Sequence, residues 1–132
     1  MMVTRGQVYD LMMLPGLVAV HDTNPVGLLT YHVSNAECEI ITLNSWQEGE
    51  GIGTQLIQSV QTIAHQSQCR RIFFITTNDN LAAQRFYQRR GFVVKAIYPN
   101  AIEISRMLKP EIPLVSLDGI PITDEIEFEM PL

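Results

Sequence analysis

The first third of the chain contains three short runs of strand-forming residues separated by turn-forming residues. The runs cover residues 17–20, 26–33 and 38–43, and the segments 21–25 and 34–36 between them contain Asp, Asn, Ser or Pro. Strand-forming runs that are joined by short turns usually pair with their neighbours along the chain. The pattern therefore predicts a three-stranded antiparallel meander.

The spacing of apolar residues changes to a helical period after residue 50. The apolar residues that recur at steps of three and four are Ile52, Leu56, Val60, Ile63 and Ala64. This spacing places them on one face of an amphipathic helix over residues 51–66. The compact apolar run at residues 72–75 then predicts a strand that is covered on both faces.

A second helix is predicted to follow that strand. Thr77 or Asn78 is able to cap it, and it runs to about Arg90, where Gly91 provides a C-terminal stop. The next predicted strand begins with residues 92–94, because these apolar residues follow the stop directly.

The C-terminal segment combines a short helix with an alternating strand. Residues 101–108 form the predicted helix, which ends before Pro110. The residues that alternate near the C-terminus are Glu125, Ile126, Glu127, Phe128, Glu129 and Met130. A period of two is typical of a strand with one buried face, so we expect the apolar side chains inside and the carboxylates on a solvated face.

The composition fits one globular domain over residues 1–132, because 46% of the residues are hydrophobic and 17% are charged. Nine Lys and Arg against fourteen Asp and Glu give a formal net charge of −5. This balance argues against a general nucleic-acid binder but permits a compact phosphate site. Cys38 and Cys69 indicate free thiols of a cytoplasmic protein. The apolar residues 11–14 are too few to span a membrane.

The strongest chemical signal lies between the third predicted strand and the first helix, where the sequence is Glu48-Gly49-Glu50-Gly51-Ile52-Gly53. The N–H groups of a first helical turn have no partner within the helix, and the helix dipole adds partial positive charge there. Glycine lets the backbone approach a ligand closely. The segment therefore predicts a site for a phosphate or pyrophosphate. It matches neither the Rossmann fingerprint nor the P-loop, and a glycine turn without a ligand is the alternative.

A second set of residues makes the signal more specific. This set consists of Asn80, Ala83, Phe86, Tyr87, Gly91 and Phe92. Together with Gly51 and Gly53 it resembles the GNAT family, the GCN5-related N-acetyltransferases, over about residues 17–98. The segments 108–113 and 118–127 look like the ending of an uncharacterised bacterial branch. The resemblance implies an α/β fold with a mixed, mostly antiparallel, twisted sheet and flanking helices.

The resemblance also implies a site for coenzyme A. The residues whose backbone would hold its pyrophosphate are Gly49, Glu50, Gly51, Ile52, Gly53 and Thr54. Glu48 stands where the family usually has Arg or Gln, and with Glu50 it repels an anionic ligand unless both carboxylates point to water. A backbone N–H near Leu43 or Asn44 would polarise the carbonyl of the thioester.

The second set would complete that site. Tyr87 matches the family's frequent general acid, which protonates the departing thiolate, and simple core packing is the alternative. Asn80 would either contact the cofactor arm or cap its helix. Ala83 and Phe86 belong to the same cofactor-binding segment. The resemblance therefore places cofactor contacts on both predicted main helices.

An ammonium acceptor would also need a base. Glu39 is the first candidate and Glu37 the second, because they share a strand face and many members of the family use a glutamate on this strand. Two solvent-facing glutamates are the alternative. The three histidines, at positions 21, 32 and 65, are scattered and give little support to a metal site.

These residues imply an N-acetyltransferase that moves an acetyl group from acetyl-CoA to a primary amine by direct transfer in a ternary complex. A non-catalytic acyl-CoA-binding or regulatory module is the alternative. We expect no metal, nucleic-acid or membrane partner. The family usually has a strand and one or two helices ahead of the position of residue 17. Three explanations stay open for the shorter segment here: a reading frame that starts upstream, a truncated chain, or a homodimer in which a second copy covers the exposed sheet edge.

Overall fold

The computed structural model describes residues 2–47 and 49–132. The strands are β1 (Met2–Thr4), β2 (Gln7–Tyr9), β3 (Gly16–His21), β4 (Asn24–Ser34), β5 (Glu37–Ser45), β6 (Arg71–Thr77), β7 (Val93–Tyr98) and β8 (Glu125–Pro131). The helices are α1 (Ile52–Gln66), α2 (Leu81–Gln88) and α3 (Ala101–Leu108), with a short 3-10 helix at Leu11–Met13. Strands β1 and β2 form a separate hairpin, and the other six form one sheet in the order β3-β4-β5-β6-β8-β7.

The chain divides into two compact units, and β6 contributes to both. The meander unit comprises Leu11–Phe73 with Met130–Leu132. The aromatic unit comprises Phe74–Glu129 with the N-terminal residues up to Asp10. Helix α1 belongs to the first unit, and helices α2 and α3 belong to the second.

The meander unit contains the predicted three-stranded meander. Strand β3 pairs antiparallel with β4, and β4 pairs antiparallel with β5. Both connecting turns place two successive non-glycine residues at positive φ, Asp22 with Thr23 and Asn35 with Ala36. Two-residue turns of this type match the right-handed twist of the flanking strands. The predicted strands and turns are therefore confirmed.

A β-bulge interrupts the pairing of β4 with β5. Thr30 lies opposite Thr42, whereas Tyr31 lies opposite Ile40, so β5 carries one extra residue, Ile41. The two threonine hydroxyls are 2.6 Å apart and share a hydrogen bond beside the bulge. A bulge bends its strand and increases the local twist. The bend falls just before the part of β5 that leads to the glycine-rich segment.

Helix α1 packs on the meander through the predicted apolar face. Its buried residues are Ile52, Gly53, Leu56, Ile57, Val60 and Ala64. The first turn approaches β4 at Gly27, where an added Cβ would lie 2.6 Å from Cγ2 of Ile52 and 3.1 Å from the backbone oxygen of Asn44. Both distances are shorter than an ordinary van der Waals contact. Glycine at position 27 therefore sets how closely the start of α1 lies against the sheet.

Four aromatic rings form the centre of the aromatic unit. The ring of Phe74 stacks on Tyr87 at 3.7 Å and on Phe128 at 5.0 Å between centroids, and Phe92 meets it edge-on at 5.7 Å. All four residues are buried. Stacked and edge-to-face pairs add to the stabilisation that comes from burial alone. Phe74 lies within the predicted strand at residues 72–75, which is buried throughout as expected.

Helix α2 is shorter at both ends than the sequence predicts. It is capped by Asn80, and not by Thr77 or Asn78, because the Oδ1 atom of Asn80 accepts a hydrogen bond from the N–H of Ala83 at 3.2 Å. Its last residue is Gln88. Capping by Asn80 is one of the two roles that the sequence predicts for this residue.

Asn78 instead fixes the segment that precedes β8. Its Oδ1 atom accepts hydrogen bonds from the backbone N–H groups of Thr123 and Asp124, each at 3.0 Å, and its side-chain amide donates to the oxygen of Pro121 at 2.9 Å. These partners lie more than forty residues further along the chain. A local sequence pattern therefore gives no sign of this role.

Two of the three carboxylates of β8 are buried, which corrects the prediction of a solvated face. Glu125 and Glu127 are each 3% exposed, and β8 lies between β6 and β7 in the sheet. Arg5 donates its backbone N–H to Glu125 at 3.2 Å, and its guanidinium lies 3.7 Å from Glu127. The hydroxyl of Tyr98 donates to Glu127 at 2.7 Å. Burial of carboxylates requires such partners, and Arg5 is 120 residues from Glu125 along the chain.

We expect Gly27→Ala to lower the free energy of unfolding by about 1–3 kcal/mol, because the methyl group must displace Ile52 or the carbonyl of Asn44. Urea denaturation measures the change. The matched control is Gly16→Ala on β3, where the nearest contact of an added Cβ is 3.3 Å, to the oxygen of Leu29. Equal destabilisation by the two substitutions would contradict the close approach at Gly27.

Candidate active site

The glycine-rich segment between β5 and α1 has the backbone geometry of an anion site. Gly49 and Gly51 have φ angles of 79° and 70°, in the left-handed region that favours glycine. Gly51 is the N-cap of α1, its carbonyl accepts a hydrogen bond from the N–H of Gln55 at 3.0 Å, and as a glycine it has no side chain with which to cap the helix. Apart from chain neighbours, no atom of the described residues lies within 4 Å of a Cβ built at either glycine. This open, uncapped helix start fits a phosphate or pyrophosphate.

The other residues predicted for this segment differ in exposure. Ile52 and Gly53 are buried in the first turn of α1, and Thr54 is half-buried. Glu50 is exposed, so water and salt screen its charge from a nearby anion. Glu48, the residue at the family's Arg or Gln position, lies outside the described residues.

The end of β5 leads directly into this segment. Leu43 is half-buried and lies opposite Leu29 of β4, and Asn44 is exposed and lies opposite Leu28. The bulge at Ile41 lies two residues before Leu43. The bend therefore affects the part of the strand that is predicted to supply the N–H group that polarises the carbonyl.

The two glutamates that are candidate bases have different surroundings on β5. The Nε of Arg71 donates to the carboxylate of Glu37 at 2.6 Å, and the Cζ atom of Arg71 lies 4.2 Å from the ring centroid of Phe73. An acceptor ammonium group would have to compete with Arg71 for Glu37. Glu39 is 2% exposed and lies opposite His32 in the strand pairing.

Tyr87 lies inside the aromatic cluster of its unit. It is 6% exposed, stacks on Phe74 and meets Phe86 edge-on at 5.2 Å. Burial raises the pKa of Tyr87 well above its ordinary value, and the charge of Arg90 offsets part of the rise. The hydroxyl group therefore stays protonated around neutral pH, which is the state that a general acid requires.

The remaining residues predicted on α2 make their contacts within α2 or with Arg90, which follows it. Asn80 and Ala83 form the N-cap hydrogen bond. Phe86 is half-buried, and the Cζ atom of Arg90 lies 3.5 Å from its ring centroid. Arg90 also donates to the backbone oxygen of Phe86 at 2.8 Å. These contacts hold the helix that carries Tyr87.

Both cysteines are buried free thiols. Burial, together with the neighbouring Cys69 and Glu39, raises the pKa of Cys38 to about 12. Burial and the charge of Glu37 raise the pKa of Cys69. Neither thiol is therefore an activated thiolate at neutral pH.

Two other features matter for function in residues 2–47 and 49–132, a metal site and a membrane-spanning helix. No cluster of three or more His, Cys, Asp or Glu side chains there is arranged to hold a metal ion. None of the helices in this part of the chain combines the length and the apolar character needed to cross a membrane.

The predicted site residues described in this section lie within a segment that matches a known protein family. The family model described as "Acetyltransferase (GNAT) family" matches residues 9–92. The chain belongs to the GNAT acetyltransferase family. Two uncharacterised proteins of Bacillus subtilis are similar to it. YdhI is 49% identical over 87% of this chain and 72% of its own length, and YxbD is 41% identical over 95% and 79%.

Solved GNAT-type structures share the fold of this chain. An acetyltransferase from Bacillus subtilis in complex with CoA has a TM-score of 0.76 at 19% identity, over 92% of this chain and 79% of its own. A GNAT acetyltransferase from Elizabethkingia anophelis with acetyl-CoA bound has a TM-score of 0.76 at 23% identity, over 92% and 78%. These similarities concern the fold, and they confirm the predicted α/β class with its mostly antiparallel sheet.

The residues predicted for the GNAT site fall into two sets, one in each unit. Those of the meander unit are Glu37, Glu39, Leu43, Asn44 and residues 49–54. Those of the aromatic unit are Asn80, Ala83, Phe86 and Tyr87. The sequence interpretation missed the burial of Glu125 and Glu127, because alternation with apolar residues looks the same for a solvated strand face.

We expect the raised pKa of Cys38 to appear in the pH dependence of stability. In the unfolded chain the thiol ionises near its ordinary pKa of 9.0, and in the folded chain near 12. Its contribution is complete below pH 9 and is lost as the pH rises toward 12, because only the unfolded state releases the proton in that interval.

The comparison with Cys38→Ser isolates this contribution. The free energy of unfolding of the wild type minus that of the variant should be constant from pH 7 to about pH 9 and should fall by pH 10.5. Chemical denaturation at each pH measures the difference. A difference that stays constant to pH 10.5 would contradict the raised pKa.

Proposed function

We propose that this GNAT protein transfers an acetyl group from acetyl-CoA to a primary amine, directly and within a ternary complex. The observation that carries the proposal is the uncapped start of α1 beside Gly49 and Gly51, where the backbone is open to an anion. Similar solved structures that hold CoA or acetyl-CoA support the choice of co-substrate.

The residues of the meander unit would bind and orient the co-substrate. Acetyl-CoA would supply the acetyl group as an activated thioester. The backbone of residues 49–54 would bind the pyrophosphate, and a backbone N–H near Leu43 or Asn44 would donate to the carbonyl oxygen. A donor fixed in this position stabilises the negative charge that develops on that oxygen during attack.

Acetyl transfer from a thioester to an ammonium acceptor requires three proton movements, because the nitrogen loses two protons and the sulfur gains one. The acceptor ammonium loses a proton, for which Glu39 is the proposed base. The nitrogen then forms a bond to the carbonyl carbon as the carbon–sulfur bond breaks. The departing sulfur takes a proton, for which the hydroxyl of Tyr87 is the proposed source. The nitrogen also loses its second proton, which solvent accepts, and solvent returns a proton to Tyr87; Glu39 releases the first proton, so each transfer releases one proton overall.

The state of the cysteines supports direct transfer. A route through an acetylated cysteine would need an accessible thiolate. Cys38 and Cys69 are buried, and the pKa of each is raised. Their free thiols also support a cytoplasmic location as part of the proposal.

We also propose a domain organisation and an oligomeric state for the chain. We propose that both units belong to one GNAT domain, since the family match at residues 9–92 runs through both of them. We also propose that the chain forms the predicted homodimer. Val18 and Val20 are exposed on β3, which is an edge strand of the sheet. A second copy of the chain would shield this edge.

A non-catalytic acyl-CoA-binding module is the second candidate function. The packing of Tyr87 against Phe74, Phe86 and Phe92 favours it, because these contacts give Tyr87 a structural role that needs no chemistry. Such a module would bind acetyl-CoA and would not catalyse transfer to any amine.

We expect Gly51→Val to weaken acetyl-CoA binding about ten-fold or more, because a β-branched residue is strained at this φ and its side chain occupies the open space. Calorimetric titration with acetyl-CoA and with CoA measures the effect. Gly119→Val is the matched control, since Gly119 also has positive φ and open surroundings but lies in a turn of the aromatic unit. Similar affinities for the two variants would contradict the site.

We expect Tyr87→Phe to reduce turnover about 100-fold, because it removes the proposed proton donor and keeps the aromatic ring. The variant should bind acetyl-CoA as the wild type does. Release of free CoA thiol in the presence of a pool of primary amines measures turnover. Unchanged turnover would eliminate Tyr87 as the acid, and transfer by neither protein would favour the binding module.

A further inference from the structure

The face of the β4–β5 pair that points away from α1 carries three successive cross-strand pairs. Gly27 of β4 lies against α1, so alternation along the strand places the residues one, three and five positions later on the opposite face. Residues that lie directly opposite each other in a sheet share a face. The three pairs, in order along β4, are Leu28 with Asn44, Thr30 with Thr42, and His32 with Glu39.

The first and third pairs mark the two ends of the proposed chemistry. The carbonyl would be polarised near Leu43 or Asn44, whereas the proposed base is Glu39. The partners of the first two residues on β4 lie three or four residues before the partner of Glu39, a distance of about 10–13 Å along a strand. Direct proton transfer requires heavy atoms within about 2.6–3.2 Å of each other, or one water between them. The side chain of a glutamate is too short to close this gap alone.

Burial also separates Glu39 from an acceptor. The residue is 2% exposed, which leaves almost no surface at which an acceptor nitrogen could lie. Thr42 of the middle pair is half-buried, so more of its surface is open. An acceptor that approaches from the end of β5 therefore meets the middle pair before it meets Glu39, and its proton must cross that pair.

The middle pair supplies two hydroxyl groups at hydrogen-bond distance. The Oγ1 atoms of Thr30 and Thr42 are 2.6 Å apart, and either hydroxyl can be the donor. A hydroxyl group donates one hydrogen bond and accepts two, so two linked hydroxyls can take a proton at one end and release another at the other end. Thr30 is 6% exposed, so the inner hydroxyl is shielded from water.

The bulge at Ile41 brings Glu39 next to this pair. Thr42 and Glu39 are three residues apart on β5, whereas their partners are only two residues apart on β4. The two pairs are thus neighbours on the face, about 7 Å apart along the strands, and a long side chain reaches a diagonal neighbour at this spacing. A carboxylate has about four acceptor sites, so Glu39 can accept from Thr30 in addition to its other contacts.

We propose that Thr42 and Thr30 form a proton relay between the acceptor amine and Glu39, an inference that rests on the proposed function. The acceptor ammonium gives a proton to the hydroxyl oxygen of Thr42, and Thr42 passes its own proton to Thr30. Thr30 passes its proton to the carboxylate of Glu39. Each hydroxyl gains one proton and loses one. The nitrogen keeps the electron pair with which it attacks the carbonyl carbon.

Valine has nearly the shape of threonine and lacks the hydroxyl group, so valine variants test the relay. Thr42→Val should lower kcat about ten-fold or more and leave the affinity for acetyl-CoA unchanged in calorimetry. Thr42→Ser keeps a hydroxyl group and should retain most of the turnover. The matched control is Thr62→Val, which removes an exposed hydroxyl from α1 in the same unit. Turnover is measured as release of free CoA thiol with a pool of primary amines. Equal turnover of Thr42→Val and the control would overturn the relay.

A double variant separates a lost proton path from a damaged fold. Thr42→Val alone leaves the buried hydroxyl of Thr30 without this partner, which costs about 1–3 kcal/mol of stability. Thr30→Val combined with Thr42→Val removes both hydroxyls and avoids that cost. We expect the double variant to unfold in urea as the wild type does and to turn over as slowly as Thr42→Val. Recovery of turnover in the double variant would overturn the relay.

A double-mutant cycle with Glu39→Gln tests whether the hydroxyl pair and the base act on the same proton. In the Glu39→Gln background, Thr42→Val should lower kcat by no more than about two-fold, because the path is already broken. Two independent losses that multiply would overturn the relay.

The wild type distinguishes failure of this inference from failure of the proposed function. A wild type that transfers acetyl to none of the amines overturns the proposed function and the relay together. A wild type that transfers acetyl, with threonine variants that match Thr62→Val, overturns the relay and leaves the proposed function standing.

Discussion

The aromatic unit depends on the burial of two carboxylates, Glu125 and Glu127. A carboxylate that leaves water must find hydrogen-bond donors in the fold, and the donors here come from two distant parts of the chain, Arg5 and Tyr98. Arg5 brings the N-terminal hairpin to β8, and Tyr98 brings β7 to it. Asn78 fixes the segment just ahead of β8 at the end of β6. The contacts of these carboxylates thus also join the N-terminal hairpin and β7 to β8.

The constraint on the meander unit is different: it is the room available for a side chain where α1 meets β4. The first turn of α1 lies so close to β4 that position 27 has room only for glycine, and the chain reaches this turn through two glycines at positive φ. Close packing at Gly27 fixes the height of the helix start above the sheet. Its N-cap, Gly51, contributes no side chain that could cap the helix. The packing at Gly27 therefore sets where the start of α1 lies, and the glycine at position 51 leaves the N-cap without a side chain.

Features that depend on neighbouring residues could be predicted from the sequence, and features that depend on distant partners could not. The meander and α1 follow from turn residues and from a helical period. The role of Asn78 and the bulge at Ile41 depend on which distant segment lies alongside, whereas the cap at Asn80 is local and is one of its two predicted roles. The roles of Tyr87 and Glu39 rest on family resemblance, because a tyrosine that packs in a core and one that donates a proton look alike in a sequence.

Binding of acetyl-CoA at the start of α1, as proposed above, would also link folding to metabolism. A ligand that binds only the folded chain stabilises it by about 2.7 kcal/mol when its free concentration is 100 times its dissociation constant. For a chain that binds acetyl-CoA at Gly51, the fraction of unfolded molecules falls as the supply of activated acetyl groups rises. Proteases remove unfolded molecules first, so the abundance of such a protein would follow the nutritional state of the cell.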